Sequence, residues 1–241
     1  MDIVKFDYPR DLVERVIEDL ITLSHSKKEA VHIVLSGGST PKQIFELLTN
    51  SHYATKVNWK KCHFWWGDER CVPADDPESN YGEAKKLLFD VLPNLPRENI
   101  HPIDGVINPD QSTIFYTSEI RRHVEVANHL PIFDWIWLGM GDDGHTASLF
   151  VDGVPLDDDC WTAVAQHPVS RQKRVTITMS VINAAKRVTF LVTGKSKAEM
   201  VATILESGSH YLTYPAKHVA PTDGVLEWYL DQSSGRLLRD Q

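Results

Sequence analysis

Three cysteines in 241 residues are too few for a disulfide scaffold. Cys62, Cys71 and Cys160 form no CxxC, and any pairing leaves one over. That argues against a disulfide framework or a zinc site and predicts a reducing, cytoplasmic setting. Long apolar runs are also missing, the longest falling short of a membrane span. The start Met1-Asp2-Ile3-Val4-Lys5 has neither the basic opening nor the apolar stretch of a signal peptide. No membrane partner is therefore expected. Positive charge is in deficit: the formal net charge is −8. Nucleic acid is an unsuitable partner for such a chain, because phosphate backbones require a basic footprint. Three signatures are absent as well: the P-loop GxxxxGK followed by Ser or Thr, the GxSxG nucleophile elbow, and HExxH.

No Pro/Gly/Ser-rich linker, internal repeat or low-complexity segment interrupts the chain, so residues 1–241 are expected to form one domain. A hydrophobic content of 42% suffices for a sizeable core. Residues 11–23 place Leu12, Val13, Val16, Ile17, Leu20 and Ile21 on one helical face. Val31 to Leu35, Cys62 to Trp66 and Phe133 to Leu138 read as buried strands. Arg187 to Val192 and Leu226 to Leu230 read as strands too, and Val175 to Met179 alternates like one. Helices are predicted over 79–91, 109–126 and 195–205, the first with Tyr81, Ala84, Leu87, Leu88 and Val91 inward. Thr40 or Ser39 is expected to cap a further helix with Pro41 in its first turn. Strands alternating with helices predict an α/β, Rossmann-like fold: a mostly parallel sheet with helices on both faces. Ligands of such sheets sit outside the carboxyl ends of the strands.

Two glycine-rich loops lie at such ends: Ser36-Gly37-Gly38-Ser39-Thr40-Pro41 and Gly139-Met140-Gly141-Asp142-Asp143-Gly144-His145-Thr146. A strand that ends in a glycine turn and opens a helix aims backbone N–H groups at one point, which attracts anions. An ordinary N-capped turn is the plainer reading of the first loop. The second loop literally matches GxGxxG, but Asp142 and Asp143 would repel a pyrophosphate, and His145-Thr146 fits no part of that fingerprint. A dinucleotide cofactor is therefore not expected. His145, two residues after an aspartate in a glycine turn, has the setting of a general base. The Gly67-Asp68-Glu69-Arg70 segment reads as a charged turn, a surface ion pair being its plainer interpretation. Arg171, Lys173 and Arg174 precede a strand. Lys195 and Lys197 open a helix, where their charge opposes the dipole unless an anion or open solvent compensates. His25, His32, His52 and His129 show no constellation, and His63 is read as a structural strand residue. The run Asp157-Asp158-Asp159 reads as a solvated loop, not a metal site.

Taken together, the segments resemble the 6-phosphogluconolactonase family. The matching pieces are SGGSTPKQIFELL at 36–48, WWGDERCVPADDPESNYGEAKKLL at 65–88 and HPIDG at 101–105. FDWIWLGMGDDGHTASLF at 133–150, RVTITMSVINAAKRVTFLVTGKSKAEM at 174–200 and YPAKHVAP at 214–221 complete them. The related glucosamine-6-phosphate deaminases have TGSTP in the first loop, DEY for DER and DGHIAFNEP for DGHTASLF. This chain has Arg70 in place of that tyrosine and lacks the Asn-Glu-Pro. It departs from the lactonase pattern at Val151, where a proline usually follows SLF.

The resemblance implies hydrolysis of 6-phospho-D-glucono-1,5-lactone to 6-phosphogluconate in the oxidative pentose phosphate pathway. His145 is then the base for water, oriented by Asp143 or by Asp68. Arg70 or loop N–H groups stabilise the oxyanion. Ser36, Gly37, Gly38, Ser39, Thr40, Arg174 and Lys197 hold the phosphate, with Lys195 the second choice of lysine. No metal and no organic cofactor is implied, and the partner is a small phosphorylated sugar lactone bound by a monomer or small homo-oligomer. A deaminase on an amino sugar phosphate and a sensor that binds without turnover are the competing readings. Arg70 and the missing Asn-Glu-Pro count against the first, and the presence of His145 with its acidic neighbours counts against the second.

Overall fold

A computed structural model describes residues 1–26, 29–154, 160–206 and 213–239. The chain opens with β1 (Asp2–Phe6) and α1 (Pro9–Ser26), followed by β2 (Val31–Leu35), α2 (Ser39–Leu48) and α3 (Ser51–Ala54). β3 (Cys62–Trp66), β4 (Asp68–Arg70) and α4 (Asn80–Ala84) come next, with a π-turn over Lys85–Phe89. α5 (Pro109–His123), the short β5 (Val126–Ala127) and β6 (Leu130–Pro131), and β7 (Trp135–Leu138) lead to β8 (Thr162–Gln166) and β9 (Lys173–Ile177). α6 (Met179–Asn183), β10 (Arg187–Val192), α7 (Ala198–Glu206) and β11 (Val225–Asp231) close the order.

Six strands form one sheet in the order β1-β11-β10-β7-β2-β3, and every neighbouring pair is parallel. The central strands are largely apolar, as strands covered on both faces tend to be. Every residue of β2 and of β7 is buried, and Trp65, Trp66, Trp135 and Trp137 are among the largest fully buried side chains. From β2 the chain adds β3 on one side, then crosses back to place β7 on the other. This reversal opens a crevice at the carboxyl ends of β2 and β7, where open α/β sheets bind ligands. Both glycine loops leave from those two ends. A second, antiparallel sheet, β4-β9-β8, stands beside the crevice.

Several local expectations differ from the structure. Segment 68–70 is not a turn but strand β4, paired with Arg174–Thr176 of β9. The helix expected over 79–91 changes to a π-turn at Lys85, marked by the Asp90 N–H bonding to the Lys85 carbonyl. Widening the turn shifts the phase of the helical face, so Val91 is not inward but 52% exposed. The helix expected at 195 begins at Ala198, after a 3₁₀ turn over Lys195–Lys197. The strand expected to reach Met179 ends at Ile177, and Met179 starts α6. Helix α2 is capped by Gly38, with Ser39 as its first residue and no side chain bonding its end. The Asp157–Asp159 reading lies outside the described residues. Among the described residues, no helix is long and apolar enough to cross a membrane.

Candidate active site

The carboxyl ends of β3, β2, β7 and β10 lie side by side, and the segments leaving them enclose a cleft of ≈ 310 Å³. Ser36, Gly37 and Gly38 line it after β2, Asp68 and Arg70 after β3, and Gly139, Met140, Gly141, His145 and Ala147 after β7. Lys197 reaches it after β10, Arg174 from β9 and Asn80 from the start of α4. Larger hollows of ≈ 620 and ≈ 700 Å³ lie elsewhere, but neither gathers a histidine, a carboxylate and several cations.

His145 is positioned by its own loop. The Gly141 N–H bonds the His145 carbonyl at 2.9 Å, and the Gly144 N–H bonds the Gly141 carbonyl at 3.1 Å. Gly144 has φ +76°, a conformation that glycine adopts without cost. A side chain at Gly141 would collide with the His145 ring and the Asp143 carboxylate, so that glycine leaves room for the pair. His145 Nδ1 and Asp143 Oδ1 are 2.5 Å apart. A carboxylate only accepts, so Nδ1 carries a proton, and in the neutral ring Nε2 holds the lone pair. Partial burial works against the Asp143 charge, but the His145 ring and its hydrogen bonds hold the carboxyl below its usual range.

Of the two carboxylates open as the partner of His145, Asp143 makes the contact. Asp68 is occupied elsewhere: its Oδ2 accepts from Ser148 Oγ at 2.6 Å, and its backbone carbonyl accepts from Asn80 Nδ2 at 2.9 Å. Arg174 approaches the same group, 3.9 Å from Asp68 Oδ2 and 3.4 Å from Ser148 Oγ. Ser148 is fully buried. It follows Ala147, which lines the cleft with φ +49°, a costly value for a residue with a Cβ. The Thr146 hydroxyl on the Gly139 carbonyl and the Ser148 N–H on Thr176 Oγ1 hold that turn.

Three cations border the cleft. Lys197 Nζ pairs with Asp142 Oδ1 at 2.7 Å, and Arg70 donates to the Glu78 carbonyl at 2.6 Å. Burial lowers the pKa of Arg174 against the pull of Asp68. Lys195 is exposed and does not line the cleft. Ser39 is exposed too, and the Thr40 hydroxyl is bonded to Thr193 Oγ1 at 2.9 Å. The structure thus brings Ser36, Gly37 and Gly38 to the cleft, but neither the Ser39 nor the Thr40 side chain. Ser36 Oγ, Arg70 Nε and Arg174 Nε are buried without a hydrogen-bond partner. Buried polar atoms of that kind call for an explanation.

Glu69 is not half of a surface ion pair. It is buried and accepts from the backbone N–H groups of Arg70, Asn80 and Tyr81 and from Ser79 Oγ. The sequence alone assigns no site role to Asn80 or Ser148, and none to Glu69 beyond a charged turn. The Ser-Asn dipeptide opening a predicted helix was the available signal for Asn80, and nothing local pointed to Ser148.

The family model described as "Glucosamine-6-phosphate isomerases/6-phosphogluconolactonase" matches residues 7–228. The chain belongs to this family. It is 44% identical over 238 residues to a 6-phosphogluconolactonase of Haemophilus influenzae, covering 99% of this chain and 100% of the relative. A 6-phosphogluconolactonase of Synechocystis is 37% identical, with 95% and 94% covered. Among solved structures, the crystal structure of devB protein superposes with a TM-score of 0.96 at 44% identity, over 99% of both chains. The 6-phosphogluconolactonase of Trypanosoma cruzi gives 0.87 at 26% identity, covering 99% and 97%. A monomeric glucosamine-6-phosphate deaminase reaches 0.83 at 19% identity, covering 99% and 100%. That likeness speaks for the fold alone.

Proposed function

We propose that this family member is a hydrolase of 6-phospho-D-glucono-1,5-lactone, releasing 6-phosphogluconate. The observation that carries the reading is the set of unpartnered buried donors, Ser36 Oγ, Arg70 Nε and Arg174 Nε, around the His145–Asp143 pair. An oxygen-rich, anionic ligand suits a cleft lined by Ser36, Arg70, Arg174 and Lys197, and a small turn of the first three side chains would bring these donors to it. The relatives at 44% and 37% identity are 6-phosphogluconolactonases, and Arg70 departs from the deaminase pattern.

In the proposed reaction His145 Nε2 takes a proton from water as the oxygen attacks the lactone carbonyl. Charge that develops on the carbonyl oxygen meets Arg70 or the loop N–H groups. The bond from the carbonyl carbon to the ring oxygen then breaks, and His145 returns the proton to that oxygen. Asp143 keeps the imidazole in the required tautomer throughout. A lactone is an activated ester, so positioned water suffices and no covalent nucleophile is required. The phosphate lies against the backbone N–H groups of Ser36–Thr40 at the start of α2, where no side chain bonds the helix end, with Arg174 and Lys197 beside it. The reading is tested with freshly generated 6-phosphogluconolactone, followed against its spontaneous hydrolysis. Acceleration well above that background supports it. No acceleration, or ammonia released from glucosamine 6-phosphate, overturns it.

Lys197 gives a separate test. A hydrogen bond from a cation to phosphate contributes about 1.5–3 kcal/mol, and the Asp142 pair places Lys197 at the lower end. Lys197→Ala is expected to raise KM about tenfold with kcat within about twofold. An unchanged KM in steady-state assays would place the phosphate elsewhere, and Lys195→Ala, at an exposed position, is the control.

A further inference from the structure

Three histidines converge at the opposite end of the edge strand from the cleft. His63 is the second residue of β3, His101 follows the 3₁₀ turn over Arg97–Asn99, and His123 ends α5. Asp68 lies five positions beyond His63, about 16 Å for extended chain. One ring nitrogen from each of the three lies within 4.8 Å of the others. We propose that His63, His101 and His123 form a binding site for one divalent first-row transition ion, zinc foremost, that ties α5 to β3.

The donor set has the chemistry of such a site. Imidazole suits zinc, copper and nickel, and three imidazoles plus water complete a tetrahedral zinc shell. His101 is buried and its Nδ1 lies 3.0 Å from Glu119 Oε1. The carboxylate fixes the proton on Nδ1 and leaves the Nε2 lone pair toward His63. A carboxylate on the far nitrogen is the usual backing of a metal-bound histidine. The His101 ring is stacked on Trp65 at 3.9 Å and 7°, which holds it rigid. His123 stands at the carbonyl end of α5, where the helix dipole favours a cation. Glu119 supplies negative charge beside His123 Nε2 at 3.2 Å, and Arg122 at 2.8 Å from Glu119 offsets part of it.

Without an ion, His63 Nδ1 and His101 Nε2 share a proton at 3.0 Å, their rings within 12° of parallel. Two zinc ligands at tetrahedral angles stand about 3.4 Å apart. Entry of the ion therefore requires the pair to open by a few tenths of an ångström and tilt. The His63 proton moves from Nδ1 to Nε2, so no net proton is released. His63 is only partly buried and His123 is exposed, which gives these two rings the freedom to adjust.

The test is calorimetric titration of the chelator-treated full chain with zinc chloride, paired with thermal melting. The expected result is one saturable site, with a melting temperature that rises when zinc is added. His63→Gln and His123→Ala each weaken binding at least about tenfold, and Glu119→Gln weakens it about 10–100-fold. These changes avoid the Trp65-stacked His101, and melting in the absence of zinc reports whether each variant is folded. An absence of saturable binding overturns the proposal. So does unchanged affinity in folded His63→Gln and His123→Ala, which would seat the ion elsewhere, with the His145–Asp143 pair the first alternative.

Discussion

Replacing His145 with alanine is expected to lower kcat for lactone hydrolysis by about 10²–10⁴-fold, the usual contribution of a positioned general base. KM should stay within about threefold, because the proposed phosphate ligands Ser36–Gly38, Arg174 and Lys197 line the cleft apart from the His145 ring. The size of the effect follows from the geometry. Asp143 holds Nδ1, so Nε2 is the nitrogen with a lone pair to offer, and no other histidine lines the cleft among the described residues. Asp68 does not substitute as the base, since Ser148, Asn80 and Arg174 surround its carboxylate. The measurement is loss of fresh 6-phosphogluconolactone by wild type and variant, each corrected for the spontaneous rate. Equal turnover in the two would remove His145 from the base role. Residual acceleration in the variant is expected from the bound phosphate and the oxyanion donors alone.

The sheet was legible because burial on both faces leaves an unmistakable apolar run. Val31–Leu35, Cys62–Trp66 and Arg187–Val192 have the same bounds in sequence and structure. The short strands were not legible. β4 is three charged residues, Asp68-Glu69-Arg70, and only its pairing with β9 makes it a strand. The glycine loops and His145 could be placed at strand ends from the sequence, Lys197 at the opening of a helix and Arg174 ahead of a strand, and Ser36–Gly38, Gly139–Gly141, His145, Arg174 and Lys197 line the cleft. Ser39 and Thr40 show the limit of that reasoning. A helix start fixes which amides point outward, but the direction of a hydroxyl depends on a neighbour such as Thr193, 153 residues away. The histidine cluster was invisible for the same reason. Its members lie on a strand, a connecting segment and a helix end, with no common spacing to connect them.

Glu69 carries the second large expectation, because the DER and SNY segments are joined through it. Its carboxylate accepts from the N–H groups of Arg70 at 2.8 Å, Asn80 at 2.9 Å and Tyr81 at 2.7 Å, and from Ser79 Oγ at 3.0 Å. Burial pushes its pKa up while these donors pull it down, and burial prevails. Glu69→Ala strands four donors at once, each costing about 1–3 kcal/mol if nothing relaxes. Water entry into the truncated site reduces the sum, so a loss of about 3–5 kcal/mol is expected in urea unfolding at unchanged m. Glu69→Gln keeps the volume but turns one acceptor into a donor facing other donors, and should lose about 2–3 kcal/mol. The cleft is expected to fail with the fold. Asn80, held by Glu69, bonds the Asp68 carbonyl, and its side chain occupies the space that a Cβ at Gly37 would enter. Loosening residues 79–81 therefore displaces the first glycine loop and Asp68 together, so kcat/KM should fall in Glu69→Gln even at temperatures where the variant is fully folded. Full stability in Glu69→Gln would mean that the carboxylate only fills space, and that something other than its hydrogen bonds positions the loop.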